Sequence, residues 1–240
     1  MSQNYEELDF KKTPIGDLML RRRRMFQLGD TDIYEVKLGE HYLMTSLFHE
    51  SESQLARIGL DKTDHEELDI IVGGLGLGYT AAAALEDRHV KSLVIIEYLD
   101  AVIEWHQKHL VPLGKTLTED SRCQIIQADF FAVSRDDTKS FNPEFPDKKY
   151  DVILLDIDHT PTHVLNQTNK HFYTEQGLSE FSRHLKKGAV FGLWADGAPE
   201  KAFCDHLAKV FSHSESHHIQ FENPITGGSS EGTVYTAIRK

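Results

Sequence analysis

Four glycines separate an apolar segment, residues 70–72, from an alanine-rich segment, residues 79–85. They are Gly73, Gly74, Gly76 and Gly78. Glycine adopts positive φ values and lets a ligand approach the backbone closely, and the free N–H groups at a helix start attract anionic or polar groups. A glycine-rich turn between a strand and a helix therefore predicts a cradle for a nucleoside or nucleotide, with a tight turn that binds nothing as the alternative.

Acidic residues follow the next two apolar segments of the chain. Glu97 closes segment 92–96 and comes about 20 residues after the glycines, the interval expected for an acid that holds ribose hydroxyls. Asp129 and Phe130 follow segment 123–126, so an acid and an aromatic ring are expected at the same sheet edge. Asp129 then either accepts the amino hydrogen of a base or caps the next helix, and Phe130 either packs on the base or belongs to the core.

A further strand end carries two acids. Asp156 and Asp158 follow the apolar segment 152–155, beside the expected nucleoside cleft. Acids at a strand end beside such a cleft are candidates for catalytic residues, with Asp156 the first candidate and Asp158 the second. Capping of the following turn is the alternative for these acids. Asp196, after the last apolar run, either lines the same pocket or belongs to a turn.

The segments that position these residues alternate between short apolar runs and helical patterns from residue 68 onward. This alternation predicts βαβ units and a mostly parallel α/β sheet with helices on both faces. The predicted strands are 68–72, 92–96, 123–126, 152–155 and 189–194, and the predicted helices are 80–87, 100–109, 174–185 and 200–210. Residues 218–221 and 233–238 predict a final strand pair. We expect a small N-terminal β appendage with a lead-in helix in residues 1–60. We expect residues 61–240 to form the domain that carries the site.

Composition disfavours several classes of function. The net charge of −12 argues against nucleic acid as a partner, because phosphate backbones are bound by clustered Lys and Arg. The basic run Arg21–Arg24 predicts a solvated edge strand. No apolar run is long enough to cross a bilayer and no secretory signal is visible, so a cytoplasmic location is expected. We expect Cys123 and Cys204 to be buried as small apolar side chains. We expect His159 and His163 to lie in a polar loop. No metal site is therefore expected.

Taken in order, these motifs resemble those of the spermidine synthases and, more broadly, of class I S-adenosylmethionine-dependent methyltransferases. The resemblance covers residues 39 to 205 and depends on segments 71–84, 94–97, 128–129, 150–156 and 172–173 together with Pro161. It implies a Rossmann-like methyltransferase fold whose parallel sheet ends in an antiparallel C-terminal edge. It also implies S-adenosylmethionine or its decarboxylated form as donor, with Glu97 on the ribose, Asp129 on adenine and Asp156 on the attacking amine. A small polar acceptor and a homodimer are the implied partners.

Several positions depart from the family pattern. Gly76 stands where the family has an aspartate that disfavours a donor with a carboxylate, so ordinary S-adenosylmethionine is expected to be tolerated. The aligned acceptor segment has Met44 for glutamine and Ser53 for tyrosine, with only Glu50 matching an acid, and Asp158 is shifted by one residue. Aminopropyl transfer and methyl transfer therefore both stay open. An NAD-dependent oxidoreductase with the same glycine loop and a catalytically silent nucleoside-binding protein are the further alternatives.

Overall fold

The computed structural model describes residues 5–240, which form two β-sheets flanked by helices. The N-terminal sheet consists of β1 (Tyr5–Thr13), β2 (Gly16–Met25), β3 (Thr31–Leu38) and β4 (His41–Thr45). These strands pair antiparallel in chain order. The β appendage that the sequence predicts is therefore confirmed as a four-stranded sheet.

The arginine run lies on an inner strand of this sheet. Because β2 pairs with β1 on one side and β3 on the other, the prediction of an edge strand is wrong. The carboxylate of Glu35, which is 3 % exposed, accepts hydrogen bonds from Arg21 and Arg23 at 2.7 and 2.8 Å. These cross-strand ion pairs neutralise the arginines, so the run stabilises strand pairing.

The main sheet forms the core of the molecule. Its strands are β5 (Leu68–Gly73), β6 (Val90–Glu97), β7 (Cys123–Gln127), β8 (Tyr150–Leu155), β9 (Leu185–Asp196), β10 (His213–Asn223) and β11 (Gly228–Ile238). They lie in the order β10-β11-β9-β8-β5-β6-β7, with β5 to β9 parallel and the last pair antiparallel. This arrangement confirms the predicted α/β fold with an antiparallel C-terminal edge. The strand order reverses between β5 and β8, and the carboxyl ends of strands at such a point leave a crevice that binds ligands.

Helices cover both faces of the main sheet. They are α1 (Glu50–Leu60), α2 (Tyr79–Leu85), α3 (Asp100–Gln107), α4 (Gly114–Glu119), α5 (Phe130–Arg135), α6 (Glu175–Ser182) and α7 (Lys201–Val210). Successive strand residues such as Ile70 and Ile71 belong to different buried clusters, because side chains alternate across a strand. Within residues 5–240, no helix is long and apolar enough to span a membrane.

Helix α1 packs against β8, β9 and β11 at very short range. A Cβ atom built on Gly59 would lie 2.8 Å from Leu154, and one on Gly192 would lie 2.8 Å from Leu154 and 3.0 Å from Leu55. The helix and the strand can approach this closely because both positions are glycine.

The β10–β11 hairpin projects past the rest of the sheet. Strand β11 pairs with β9 from Gly232 to Ile238, whereas its first residues, 228–231, pair with β10 alone. The projecting end therefore extends beyond the carboxyl-terminal end of β9, toward the side of the sheet where the crevice lies.

Candidate active site

A cavity of about 440 Å³ lies at the carboxyl ends of β5, β6 and β8. It is closed by β4 on one side and by the projecting hairpin on another. Among the residues proposed from the sequence, those in the cavity wall are Gly74, Gly76, Gly78, Glu97, Asp129, Phe130 and Asp156. Gly73 and Asp158 lie outside the wall. The fold therefore brings the glycine loop and four of the strand-end acids, Asp196 included, to one site.

The glycine loop follows β5 and leads into α2. Gly74, Gly76 and Gly78 have φ values of +95°, +50° and +94°, which glycine adopts without strain. A Cβ atom on Gly74 would lie 2.0 Å from the carbonyl oxygen of Asp156, so a side chain does not fit there. The N–H of Asp156 donates to the carbonyl oxygen of Gly73 at 2.8 Å. The loop and the end of β8 are therefore fixed against each other.

Glu97 is a buried carboxylate at the end of β6. Its Oε2 accepts from the N–H of Leu75 at 3.0 Å, and its Oε1 accepts from the N–H of Leu99 at 2.8 Å. Burial raises the pKa of Glu97, while hydrogen bonds from backbone N–H groups act in the opposite direction. Glu97 therefore anchors the glycine loop and also forms part of the cavity wall.

Asp129 and Phe130 both have structural contacts at the start of α5. Oδ1 of Asp129 accepts from the N–H of Ala132 at 2.9 Å, so Asp129 is the N-cap of this helix. The Phe130 ring is 2 % exposed and stacks on Phe141 at a centroid distance of 4.8 Å. A Cβ atom on Gly73 would lie 2.6 Å from this ring, so Gly73 serves close packing. The contacts of both side chains with a base stay predictions.

Asp156 at the end of β8 has a second carboxyl group beside it in the cavity wall, that of Glu52 from the first turn of α1. Thr80 joins them, because its Oγ1 donates to Oδ2 of Asp156 at 2.7 Å and lies 3.2 Å from the carbonyl oxygen of Glu52. Burial raises the pKa of Glu52 to about 8, with the charge of Asp156 adding to the rise. Burial also raises the pKa of Asp156 to about 6. Two acids that interact in this way titrate together rather than independently.

Three solved structures with a similar architecture are described as spermidine synthases, one of them as a probable one. No protein-family model matches the chain. A spermidine synthase in complex with the transition-state analogue AdoDATO superposes with a TM-score of 0.73 at 18 % identity, over 98 % of this chain and 74 % of that chain. The spermidine synthase from Thermotoga maritima gives 0.70 at 17 % identity, over 98 % and 73 % of the two chains. A probable spermidine synthase from Corynebacterium glutamicum gives 0.62 at 13 %, over 97 % and 79 %. The chain has a spermidine synthase-like fold.

Within this spermidine synthase-like fold, Glu52 is a site residue that the sequence alignment missed. The alignment placed Glu50 and Ser53 at the acceptor pocket. Neither is in the cavity wall: Glu50 accepts a hydrogen bond from Gln54 on the outside of α1, and Ser53 is buried. Helical spacing offered a signal, because Glu52 lies three and seven residues before Leu55 and Gly59 on the face that packs on the sheet.

Hydrogen bonds hold the Glu52 side chain in place. Nε1 of Trp194 donates to Oγ of Ser51 at 2.9 Å, and Oγ of Ser51 donates to Oε2 of Glu52 at 2.9 Å. A Cβ atom on Gly232 would lie 3.0 Å from the Ser51 side chain, so β11 leaves room for this serine. The relay fixes one oxygen of Glu52 as a hydrogen-bond acceptor.

Asp158 holds the loop that follows β8. Its Oδ1 accepts from the N–H of Leu165 at 2.6 Å and its Oδ2 from the hydroxyl of Tyr173 at 2.9 Å. The side-chain amide of Asn169 lies 3.0 and 3.1 Å from the two oxygens. This placement corrects the prediction that Asp158 faces the acceptor, because the side chain is buried and its oxygens are occupied by the loop.

Met44 of β4 explains the departure at Gly76. A Cβ atom on Gly76 would lie 3.1 Å from the sulfur of Met44, so the thioether occupies space that a longer side chain at position 76 would need.

Asp196 lies in the cavity wall, which is the first of the two alternatives that the sequence left open for this residue.

The cavity wall is acidic. Its acidic side chains are Glu52, Glu97, Asp129, Asp156, Asp196 and Glu231, and no Lys or Arg belongs to the wall among residues 5–240. His159 is also in the wall, and burial lowers its pKa, with His163 adding to the effect. In the described part of the chain, no group of three or more His, Cys, Asp or Glu side chains is placed to hold a metal ion. The acidic wall favours positively charged ligands.

Proposed function

We propose that this chain transfers an aminopropyl group from decarboxylated S-adenosylmethionine to a small amine. The acidic cavity wall carries the proposal. The carboxylate of ordinary S-adenosylmethionine would meet this negative potential without a cationic partner in the wall, whereas the decarboxylated donor presents only positive groups. This argument outweighs the expectation from Gly76, because one missing acid leaves the other wall carboxyls in place.

The nucleoside half of the donor is assigned to the glycine loop. The carboxylate of Glu97 lies in the cavity wall, held by backbone N–H groups on both oxygens, and this position supports ribose binding. Asp129 uses one oxygen as the α5 cap, and its position in the wall supports a contact with the adenine amino group. The edge of Phe130 that reaches the wall then borders the base.

Asp156 is assigned to the reacting amine. The amine nitrogen attacks the methylene carbon next to the sulfonium, the carbon–sulfur bond breaks, and its electron pair stays on sulfur to leave neutral methylthioadenosine. The proton lost from the nitrogen passes to Asp156, whose raised pKa suits it to accept a proton near neutral pH. The hydrogen bond from Thr80 holds the carboxylate in the orientation that the in-line attack needs.

Replacement of Asp156 tests this assignment. Asp156→Asn keeps the size of the side chain but removes the base, so methylthioadenosine release from the decarboxylated donor and an amine is expected to fall about 100-fold or more. Binding of methylthioadenosine, measured by calorimetry, is expected to stay within a few-fold of the unsubstituted protein. Unchanged turnover would remove Asp156 from the mechanism. Methyl transfer from S-adenosylmethionine by the unsubstituted protein would replace the proposal with a methyltransferase.

A further inference from the structure

Glu52 has no part in the donor contacts or in the proton transfer assigned to Asp156, yet it lies in the same cavity wall. It reaches the site from α1, whereas Asp156 reaches it from the end of β8. Asp196 from the end of β9 lies on the same side. The ionised form of a carboxyl group that is largely withdrawn from water and faces two other acids is unfavourable unless a cation binds to it.

We infer that Glu52 is a specificity-determining residue, and that Glu52 and Asp156 together receive the reacting amino group of the acceptor, which binds as an ammonium group and gives its proton to Asp156 before the attack. The inference rests on the proposed function, because it is the proposed function that assigns this end of the cavity to the acceptor.

The hydrogen bonds around the two carboxyl groups support this pairing. Ser51 donates to Oε2 of Glu52 and Thr80 donates to Oδ2 of Asp156. Among residues 5–240, no other residue donates to Oε1 of Glu52 or to Oδ1 of Asp156. An ammonium group has three N–H donors and a positive charge, so it fits two carboxyl oxygens from different elements, whereas a hydroxyl group offers one donor and no charge.

The ionisable groups that face Glu52 make the binding proton-coupled. They come from three elements and are Asp156 on β8, Asp196 on β9 and Tyr79 on α2, none of which is cationic. Burial and the charge of Asp156 raise the pKa of Glu52 to about 8, so this carboxyl group holds a proton at neutral pH. A bound ammonium group favours the ionised form. Amine binding is therefore expected to release a proton to solvent.

Calorimetry with the full chain tests the inference. Butylamine and 1,4-diaminobutane are titrated at pH 7 in the presence of saturating methylthioadenosine, in two buffers that differ in ionisation enthalpy, so that the number of protons released can be calculated. The unsubstituted protein is expected to release a substantial fraction of one proton. Glu52→Gln is expected to bind the amines about 10- to 100-fold more weakly, the loss expected for a hydrogen bond between charged groups, and to release no proton. Glu50→Gln, on the outside of the same helix, is the matched control and is expected to match the unsubstituted protein.

The outcomes separate this inference from the proposed function. Equal affinity and equal proton release in Glu52→Gln would overturn the inference even if aminopropyl transfer occurs, and so would the failure of the unsubstituted protein to bind either amine. Amine binding that depends on Glu52, without any aminopropyl product, would support the inference and overturn the proposed function. Methylthioadenosine binding that is equal in all three proteins shows that Glu52→Gln is folded.

Discussion

Gly74 has the strictest steric requirement in the glycine loop. The residue combines a φ of +95° with a contact to the backbone that carries Asp156, since a Cβ atom would lie 2.0 Å from the Asp156 carbonyl oxygen. Gly188 has a comparable φ of +77° but no atom within 4 Å of its Cβ position. The two glycines therefore separate the cost of backbone strain from the cost of a steric clash.

Alanine at each position measures these two costs. Gly188→Ala is expected to lower the free energy of unfolding by about 1–2 kcal/mol through strain alone. Gly74→Ala is expected to lower it by a further 1–3 kcal/mol, because the loop and β8 must move apart. Urea unfolding of both variants gives the comparison. Equal losses would mean that the loop relaxes away from Asp156 without cost.

Single residues were predictable where the strand topology fixes their place. Glu97 and Asp156 end parallel strands, so the sheet brings them to one edge whatever the helices do. Glu52 was missed because its direction depends on how α1 rotates against the sheet. The role of Asp158 was misassigned because its donors, at positions 165, 169 and 173, belong to a loop whose path follows from tertiary packing.

At the scale of elements, the docking of α1 on the sheet determines where Glu52 lies in the cavity wall, at the end that is proposed to bind the acceptor. Gly192→Ala would place a methyl group 2.8 Å from Leu154 and 3.0 Å from Leu55, and is expected to push the helix outward. The expected loss in the free energy of unfolding is about 1–3 kcal/mol, and amine affinity is expected to fall while methylthioadenosine affinity is retained.

A double-mutant cycle with Leu55→Ala checks this interpretation. Leu55→Ala alone is expected to cost about 2–5 kcal/mol through the cavity that it leaves. Because the smaller side chain gives room to the new methyl group, the double variant is expected to cost less than the two single variants together. Strict additivity in urea unfolding would show that Leu55 and position 192 are not coupled.

The strands that are buried on both faces were the easiest elements to predict from the sequence. The parallel strands carry almost unbroken apolar runs because helices cover both sides, and they were found with short errors at their ends. Strand β1 was missed, since its residues YEELDFKKT are mostly charged or polar. The inner position of β2 could not be predicted from its own residues, because the acids that pair with its arginines come from other strands.

At the scale of the whole molecule, the carboxyl pair links stability to pH. The pKa values of Glu52 and Asp156 in the folded protein, about 8 and about 6, lie above their values in an unfolded chain. The folded protein therefore binds more protons between about pH 4 and pH 8, and its stability decreases as pH rises through this range.

Glu52→Gln is expected to remove much of this decrease. Relative to the unsubstituted protein, the melting temperature of Glu52→Gln is expected to rise progressively from pH 5 to pH 8, because the variant no longer loses a proton from a buried site. Thermal melts at several pH values measure the difference, with Glu50→Gln, 45 % exposed at its side chain, as control. A difference that is constant with pH would show that Glu52 is ionised at pH 5 as well as at pH 8.

The projecting end of the β10–β11 hairpin gives the molecule a gradient of local stability. Residues 233–238 of β11 are hydrogen-bonded on both sides, so their amide hydrogens exchange with solvent only through large-scale opening. Residues 228–231 pair with β10 alone among the strands, with one further backbone hydrogen bond from the N–H of Gly197 to the carbonyl oxygen of Glu231, and are expected to open at a lower free-energy cost. Ser230 and Glu231 belong to this part and line the cavity. Occupancy of the cavity therefore acts on the least protected section of the sheet, where a bound ligand can slow amide exchange without any change in the core.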